Sequence, residues 1–103
     1  MPLDVDRQPE AAMDHLVFVQ NPHVHWTVLE GEAVLLNLDN GVYYTLNRVG
    51  TVIWELFTGH WSLATILARI CERFEVTREQ ARADLETLVT RLHQEGLITA
   101  GKE

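Results

Sequence analysis

Apolar positions alternate with polar ones in the first half of the chain and recur every three to four residues in the second, so the sequence reads as strands followed by helices. The β-branched and aromatic run Trp26-Thr27-Val28 sets a first strand at about 25–29, which Glu30-Gly31-Glu32 breaks. A second strand at about 33–38 is apolar on both faces through Val34, Leu35, Leu36 and Leu38, the pattern of a strand central in its sheet or covered on both sides. Asp39-Asn40-Gly41 supplies residues that tolerate a positive φ, as a hairpin turn demands, and a third strand follows at 42–46. Side chains alternate along a strand, so Val42, Tyr44 and Leu46 share one face and Tyr43 and Thr45 the other. Three consecutive strands with short turns predict an antiparallel meander with its third strand at an edge.

From Asn47 the period changes. Asn47 reads as an N-cap, Val49, Val52, Ile53, Leu56 and Phe57 form one apolar stripe, and Gly59 is the expected stop. Ser62 caps a second helix, with Trp61 and Ile66 placed as a hydrophobic staple; its core stripe is Leu63, Ile66, Leu67 and Ile70, ending near Phe74. Thr77-Arg78-Glu79-Gln80 reads as a capping box opening the third and longest helix, with Ala81, Leu85, Leu88 and Leu92 as its core face and Gly96-Leu97 as a Schellman-type stop. The expected fold class is therefore α+β: a three-stranded antiparallel sheet followed by a three-helix bundle, close to a winged helix-turn-helix. Residues 1–20 are expected to be a flexible N-terminal tail, 21–100 the folded domain and 101–103 a C-terminal tail. Within the tail, Leu16-Val17-Phe18-Val19 fits either a short strand or a docking segment.

Composition narrows the function classes. At 103 residues the chain has room for one core, and its 15 acidic against 8 basic residues give a net charge of −7. Phosphate backbones are gripped by basic faces, so nucleic-acid binding is disfavoured. The third helix repeats the point: Arg78, Arg82 and Arg91 are interleaved with Glu79, Asp84, Glu86 and Glu95, the pattern of a solvated face rather than of a DNA-reading one. No apolar stretch is long enough to span a bilayer and the N-terminus lacks a signal-peptide pattern, so a cytoplasmic protein without membrane contact is expected. The single cysteine, Cys71, follows a core position on the second helix and reads as a small half-buried hydrophobe rather than a nucleophile. His23 and His25 would share one side of a strand, with His15 the nearest third ligand, but no recognised metal spacing occurs. No glycine-rich phosphate loop is present. The expectation is no enzyme, no metal and no cofactor.

What is left is the edge. Val42-Tyr43-Tyr44-Thr45 is apolar and β-prone, with no lysine, proline or inward charge to guard it. Either residues 16–19 or a symmetry mate cover it, or a guest peptide adds there as a further strand, taking affinity from backbone hydrogen bonds and selectivity from side-chain pockets.

These residues carry a resemblance. The run Leu35-Leu36-Asn37-x3-Gly41-x-Tyr43-Tyr44-x-Leu46-Asn47-x2-Gly50-x2-Ile53-Trp54-x-Leu56, followed by a helix around Ile66 to Phe74, then Asp84-Leu85-x2-Leu88 and Gly96-Leu97-Ile98, resembles the PqqD-like proteins over about residues 24–98. The resemblance implies a recognition element for ribosomally made, post-translationally modified peptides, which binds the leader segment of a precursor peptide and delivers it to a processing enzyme. It implies that the leader adds to the third strand and lies against the third helix. The tyrosine-rich type looks most like stand-alone proteins of lasso-peptide clusters, whose partner is a separate cysteine-protease-like leader peptidase. A peptide chaperone for a radical enzyme in pyrroloquinoline-quinone synthesis is the alternative within the family, and a winged-helix DNA-binding regulator the alternative outside it. Carried onto this chain, the strand side of the site is Val42, Tyr43, Tyr44 and Thr45. The helix side is Arg82, Leu85, Leu88 and Val89, with Arg78 and Arg82 placed to pair with acidic leader residues. Leu85 and Leu88 fit the core as well as they fit a contact. A monomer or weak dimer is expected.

Overall fold

Two antiparallel sheets and three helices make up residues 14–101, the part of the chain that the structure, a computed structural model, describes. In chain order the elements are β1 (Val17–Gln20), β2 (Val24–Leu29), β3 (Glu32–Asn37), β4 (Val42–Leu46), α1 (Arg48–Glu55), β5 (Thr58–Ser62), α2 (Leu63–Arg73), α3 (Arg78–Gln94) and β6 (Ile98–Ala100). Strands β2, β3 and β4 form the expected meander in that order. Its register is unbroken, from Val24↔Asn37 to Leu29↔Glu32 on one side of β3 and from Asn37↔Val42 to Ala33↔Leu46 on the other. The β2–β3 connection turns through Glu30 at φ 55° and Gly31 at φ 84°, the two successive positive values that let a tight turn follow the twist of its strands.

The other strands correct the expectation of a single three-stranded sheet. Val17–Gln20, assigned to the tail, is the central strand of a second sheet with the order β5-β1-β6. Phe18 gives the reason: it is buried in the core and meets Phe57 edge-on, 6.1 Å between ring centroids. Burying such a ring contributes about 1.5–3 kcal/mol, which a free tail would forgo. Of the expected tails, residues 1–13 and 102–103 lie outside the described residues.

The first helix also ends earlier than expected. It stops at Glu55, and Leu56 and Phe57 continue the apolar stripe through tighter turns, Leu56 N–H to Ile53 O at 3.0 Å and Phe57 N–H to Trp54 O at 3.1 Å. Gly59 lies inside β5 at φ 88° and is not the helix stop. The caps of all three helices fall where the sequence puts them: Asn47 Oδ1 accepts from Gly50 N–H, Ser62 Oγ from Thr65 N–H, and Thr77 Oγ1 from Gln80 N–H. The capping box is half formed, because Gln80 Nε2 donates down the helix to Asp84 Oδ1 at 2.9 Å. The Schellman stop is complete: Gly96 N–H bonds His93 O at 3.1 Å and Leu97 N–H bonds Leu92 O at 2.9 Å, with Gly96 at φ 77°.

The core lies between the sheets and helices, with Leu35, Trp54, Phe57, Ile66, Leu67 and Leu97 at its centre, each no more than 1% exposed. One buried hydroxyl ties α1 to the meander. Thr51 Oγ1 accepts from Ala33 N–H at 2.8 Å and donates to Leu46 O at 3.4 Å, standing between the paired ends of β3 and β4. This fixes where β4 leaves the sheet and α1 begins. No described helix is long and apolar enough to cross a membrane.

Candidate functional site

β4 is bordered on one side by β3, and no other described strand pairs with it. The backbone direction of each residue follows from the ladder. Leu38 N–H reaches His23 O, so the even-numbered residues of β3 turn their amides and carbonyls to β2 and the odd-numbered ones to β4. Leu35 therefore exchanges bonds with its partner Tyr44, and the N–H and C=O groups of Tyr43 and Thr45 point away from the sheet. A guest strand would find its donors and acceptors at Tyr43 and Thr45. The Tyr43 side chain, 68% exposed, stands on the outer face of the sheet, while Tyr44 turns inward, half-buried, toward α3.

Between β4 and α3 runs a groove. Its larger part, about 420 Å³, has Thr45, Leu46, Val49, Gly50 and Ile53 on one side and Asp84, Thr87, Leu88 and Arg91 on the other. It continues past Leu88 and Arg91 into a hollow of about 310 Å³ bordered by Tyr43, Tyr44, Leu92, Glu95 and Leu97. Leucine, valine and isoleucine line much of it, with charge confined to the helix side. Across the second hollow the Tyr44 hydroxyl donates to Glu95 Oε1 at 3.0 Å, and Arg91 Nε approaches Glu95 Oε2 at 3.8 Å. Burial first, and then the Glu95 carboxylate, raise the Tyr44 phenol above its ordinary pKa of 10.0, against smaller opposing effects of Asn40 and Arg91.

The expected site residues separate by location. Val42, Tyr43, Tyr44 and Thr45 lie together on the open strand, and Leu88 lines the groove. Leu85 and Val89 turn to the core, each 3% exposed. Arg82 lies on the other flank of α3, its Nη1 2.9 Å from Asp14 Oδ1 and 3.9 Å from Glu86 Oε2. Arg78 is exposed at the first residue of α3, before the stretch that borders the groove. The α3 residues that line the groove are Asp84, Thr87, Leu88, Arg91, Leu92 and Glu95, with Asp84, Thr87, Leu88, Arg91 and Glu95 on a single i, i+3, i+4, i+7, i+11 face.

Gly50 is the residue the sequence reading passed over as a site element. A Cβ there would stand 3.3 Å from Asn47 Oδ1, 3.4 Å from Leu46 Cβ and 3.7 Å from Leu88 Cδ2, beside the larger hollow. A glycine three residues after a helix cap, within an otherwise apolar stripe, is the signal that could have found it.

The other chemical candidates lie apart from this groove. His23 Nδ1 contacts Asp39 Oδ1 at 2.9 Å beside the β3–β4 turn, His25 is exposed on β2, and Cys71 is half-buried on α2 against the core. Among the described residues no three His, Cys, Asp or Glu side chains converge on a metal-sized site.

Comparison with known proteins identifies similar structures and a family. Among solved structures, the chain is similar to "TbiB1 in Complex with the TbiA(beta) Leader Peptide", with a TM-score of 0.73 and 27% identity over 82% of this chain and 99% of that one. It is also similar to "Lasso peptide synthetase B1 complexed with the leader peptide", with a TM-score of 0.69 and 30% identity over 80% of this chain and 96% of that one. The fold recurs in the heterocyclase TruD at a TM-score of 0.59 and 18% identity, where it matches 11% of a much longer chain. No curated protein sequence matches. The family described as coenzyme PQQ synthesis protein D matches residues 32–98, which run from β3 through α3 to the start of β6 and include both sides of the groove, and the chain belongs to this PqqD family.

Proposed function

We propose that the protein is a non-catalytic recognition element that captures the leader segment of a ribosomal precursor peptide as a strand added to β4 and presents it to a separate processing enzyme. The observation that carries the reading is the uncharged strand β4, which no described strand other than β3 pairs with, its outward backbone groups at Tyr43 and Thr45 lying beside the groove against α3. Strand addition uses such an edge for affinity and such hollows for selectivity. The two leader-bound relatives, one of them a lasso peptide synthetase B1, support a leader peptide as the guest and favour the lasso-peptide setting over a radical enzyme of cofactor synthesis. We take the processing partner to be a leader peptidase, the recognition domain to be the expected 21–100 together with β1, and the setting to be cytoplasmic. The binding residues in this reading are Val42, Tyr43, Tyr44 and Thr45 on the strand and Asp84, Thr87, Leu88 and Arg91 on the helix.

The test is titration of the protein with the leader peptide of the precursor encoded beside its gene, followed by amide chemical shifts, with duplex DNA in parallel. Saturable shifts centred on residues 42–45 and 84–95 are expected. Shifts centred elsewhere would remove the groove from the reading, and salt-dependent DNA binding without leader binding would replace it with a regulator.

A further inference from the structure

β4 is held at its last residue and at its middle by different means. At Leu46 the Thr51 hydroxyl and the Asn47 cap lock it to α1 through bonds of short sequence range. At Tyr44 it is held across the groove, through a bond to a residue 51 positions away. The acceptor of that bond is itself rigidly placed. Glu95 caps α3, its own N–H bonding Arg91 O at 3.0 Å, and it is followed by the Schellman bonds of Gly96 and Leu97. Leu97 is wholly buried, and Asn21 Nδ2 donates to Gly96 O at 2.8 Å, fastening the same corner to the start of β2. The competing partner of Glu95 is weak: Arg91 stands 3.8 Å away with its side chain 70% exposed, a geometry of little energetic consequence.

We propose that Glu95 is a positioning residue of the groove: by accepting a hydrogen bond from the Tyr44 hydroxyl it sets the separation between β4 and α3, and so whether a guest strand can pair with Tyr43 and Thr45 and fill the hollows at the same time. This rests on the leader-binding reading above. A guest strand is rigid in its own alternation, with side chains on one face about 7 Å apart, so pairing and hollow-filling are compatible only over a narrow range of groove widths. Without the tie, only the ladder to β3 and the Leu46 anchor hold β4, and its distance from α3 is less closely fixed before a guest binds. The residue acts through Tyr44 and needs no contact with the guest.

The experiment measures the affinity of the same leader peptide for Tyr44→Phe, Glu95→Ala, the double variant and Glu95→Gln. Tyr44→Phe keeps the ring and removes only the donor, and Glu95→Gln keeps an acceptor oxygen while removing the charge. The two single variants are expected to weaken binding by about 3- to 10-fold, the range of one hydrogen bond. The double variant should be no weaker than the weaker single, and Glu95→Gln should lie within about twofold of the unaltered protein because the acceptor persists. Folded variants with unaltered affinity would overturn the proposal, as would a double variant whose loss is the product of the two singles. A merely structural role would lower thermal stability and leave the affinity of the folded variants unmoved. If the unaltered protein fails to bind the leader, the functional reading fails by itself. The positioning role is then decided in the guest-free protein: exchange of the Tyr44 amide, which is bonded to β3, should quicken in Glu95→Ala and recover in Glu95→Gln, and unchanged exchange overturns it.

Discussion

Leu35, wholly buried in the middle of β3, has an aromatic residue on each side of it: Trp26 on β2 and Tyr44 on β4. Both neighbours sit on outer strands of one sheet, both strands lack Asp, Glu, Lys and Arg, and both rings face the helices. The difference lies beneath the rings. Trp26, 39% exposed, meets the buried Trp54 edge-on with centroids 6.1 Å apart, so its ring ends directly on a core side chain. Tyr44 reaches across a hollow and ends on Glu95, so the β4 edge has open volume behind it. An open edge offers hydrogen bonds to any extended chain. Open volume beside the edge is what allows a choice among chains, because side chains on one face of the guest then have somewhere to go.

The largest effect should come from proline at outward-pointing positions of the two edges. Tyr43→Pro removes an N–H that the sheet itself does not use but a guest on β4 would, and Val28→Pro is the matching change on β2. Leader affinity is expected to fall by more than about tenfold for Tyr43→Pro, through the lost bond and the ring against the incoming strand, and to change by less than about twofold for Val28→Pro. Calorimetric titration of the two folded variants checks this. Equal losses would mean that the two edges are interchangeable and that the groove confers nothing.

Filling the volume without touching the edge should cost less. Gly50→Ala places a methyl group at the lining of the larger hollow, against Asn47 Oδ1 and Leu46 Cβ. Alanine gains up to about 1 kcal/mol in a helix over glycine, which the close contacts offset, so thermal stability should move by only a few degrees. Leader affinity is expected to fall by about threefold to tenfold, the scale of one or two lost methylene contacts. Unaltered affinity would shift the selective part of the groove to the Tyr44–Glu95 end.

The two sides of the groove were not equally legible. A strand offers only two faces, so placing Tyr44 inward and Tyr43 outward needed no more than the alternation of Val42 to Leu46 and the buried Leu46. A helix offers a continuous range of rotations about its axis. Leu88 and Val89 are adjacent and both apolar, and only packing against α1 and α2 decides that Val89 is core and Leu88 borders the groove. That one-residue rotation moves the groove face from Arg82 and Leu85 to Asp84, Thr87 and Arg91. β5 was hidden for another reason: Thr-Gly-His-Trp-Ser neither alternates nor carries a run of β-branched residues, and it becomes a strand because β1 lies beside it. The caps at Asn47, Ser62 and Thr77 were readable because each is a local bond that no tertiary contact overrides.

The smallest expected effect tests the aromatic difference itself, with pH as the lever. The Tyr44 phenol is raised above 10.0 in the folded protein, and Trp26, its counterpart across Leu35, has no proton to lose in this range. Tyrosine is neutral below its pKa, so a raised folded value means that the folded state holds this proton more tightly than the unfolded chain does. The associated stability is fully present below the unfolded value near 10, and it is lost as pH rises through the folded value. Ionised Tyr44 would set a phenolate against the Glu95 carboxylate and end the bond that crosses the groove. The difference in unfolding free energy between the unaltered protein and Tyr44→Phe should therefore be level through neutral and mildly alkaline pH and shrink above pH 10. Denaturant titrations at stepped pH check this, alongside the phenolate absorbance near 295 nm, where the transition present in the unaltered protein and absent from Tyr44→Phe should come later than that of free tyrosine. A Tyr44 transition at or below the ordinary value would mean that the hydroxyl is not held by Glu95, and the β4 edge would then be tied to α3 no better than a strand with nothing beneath it.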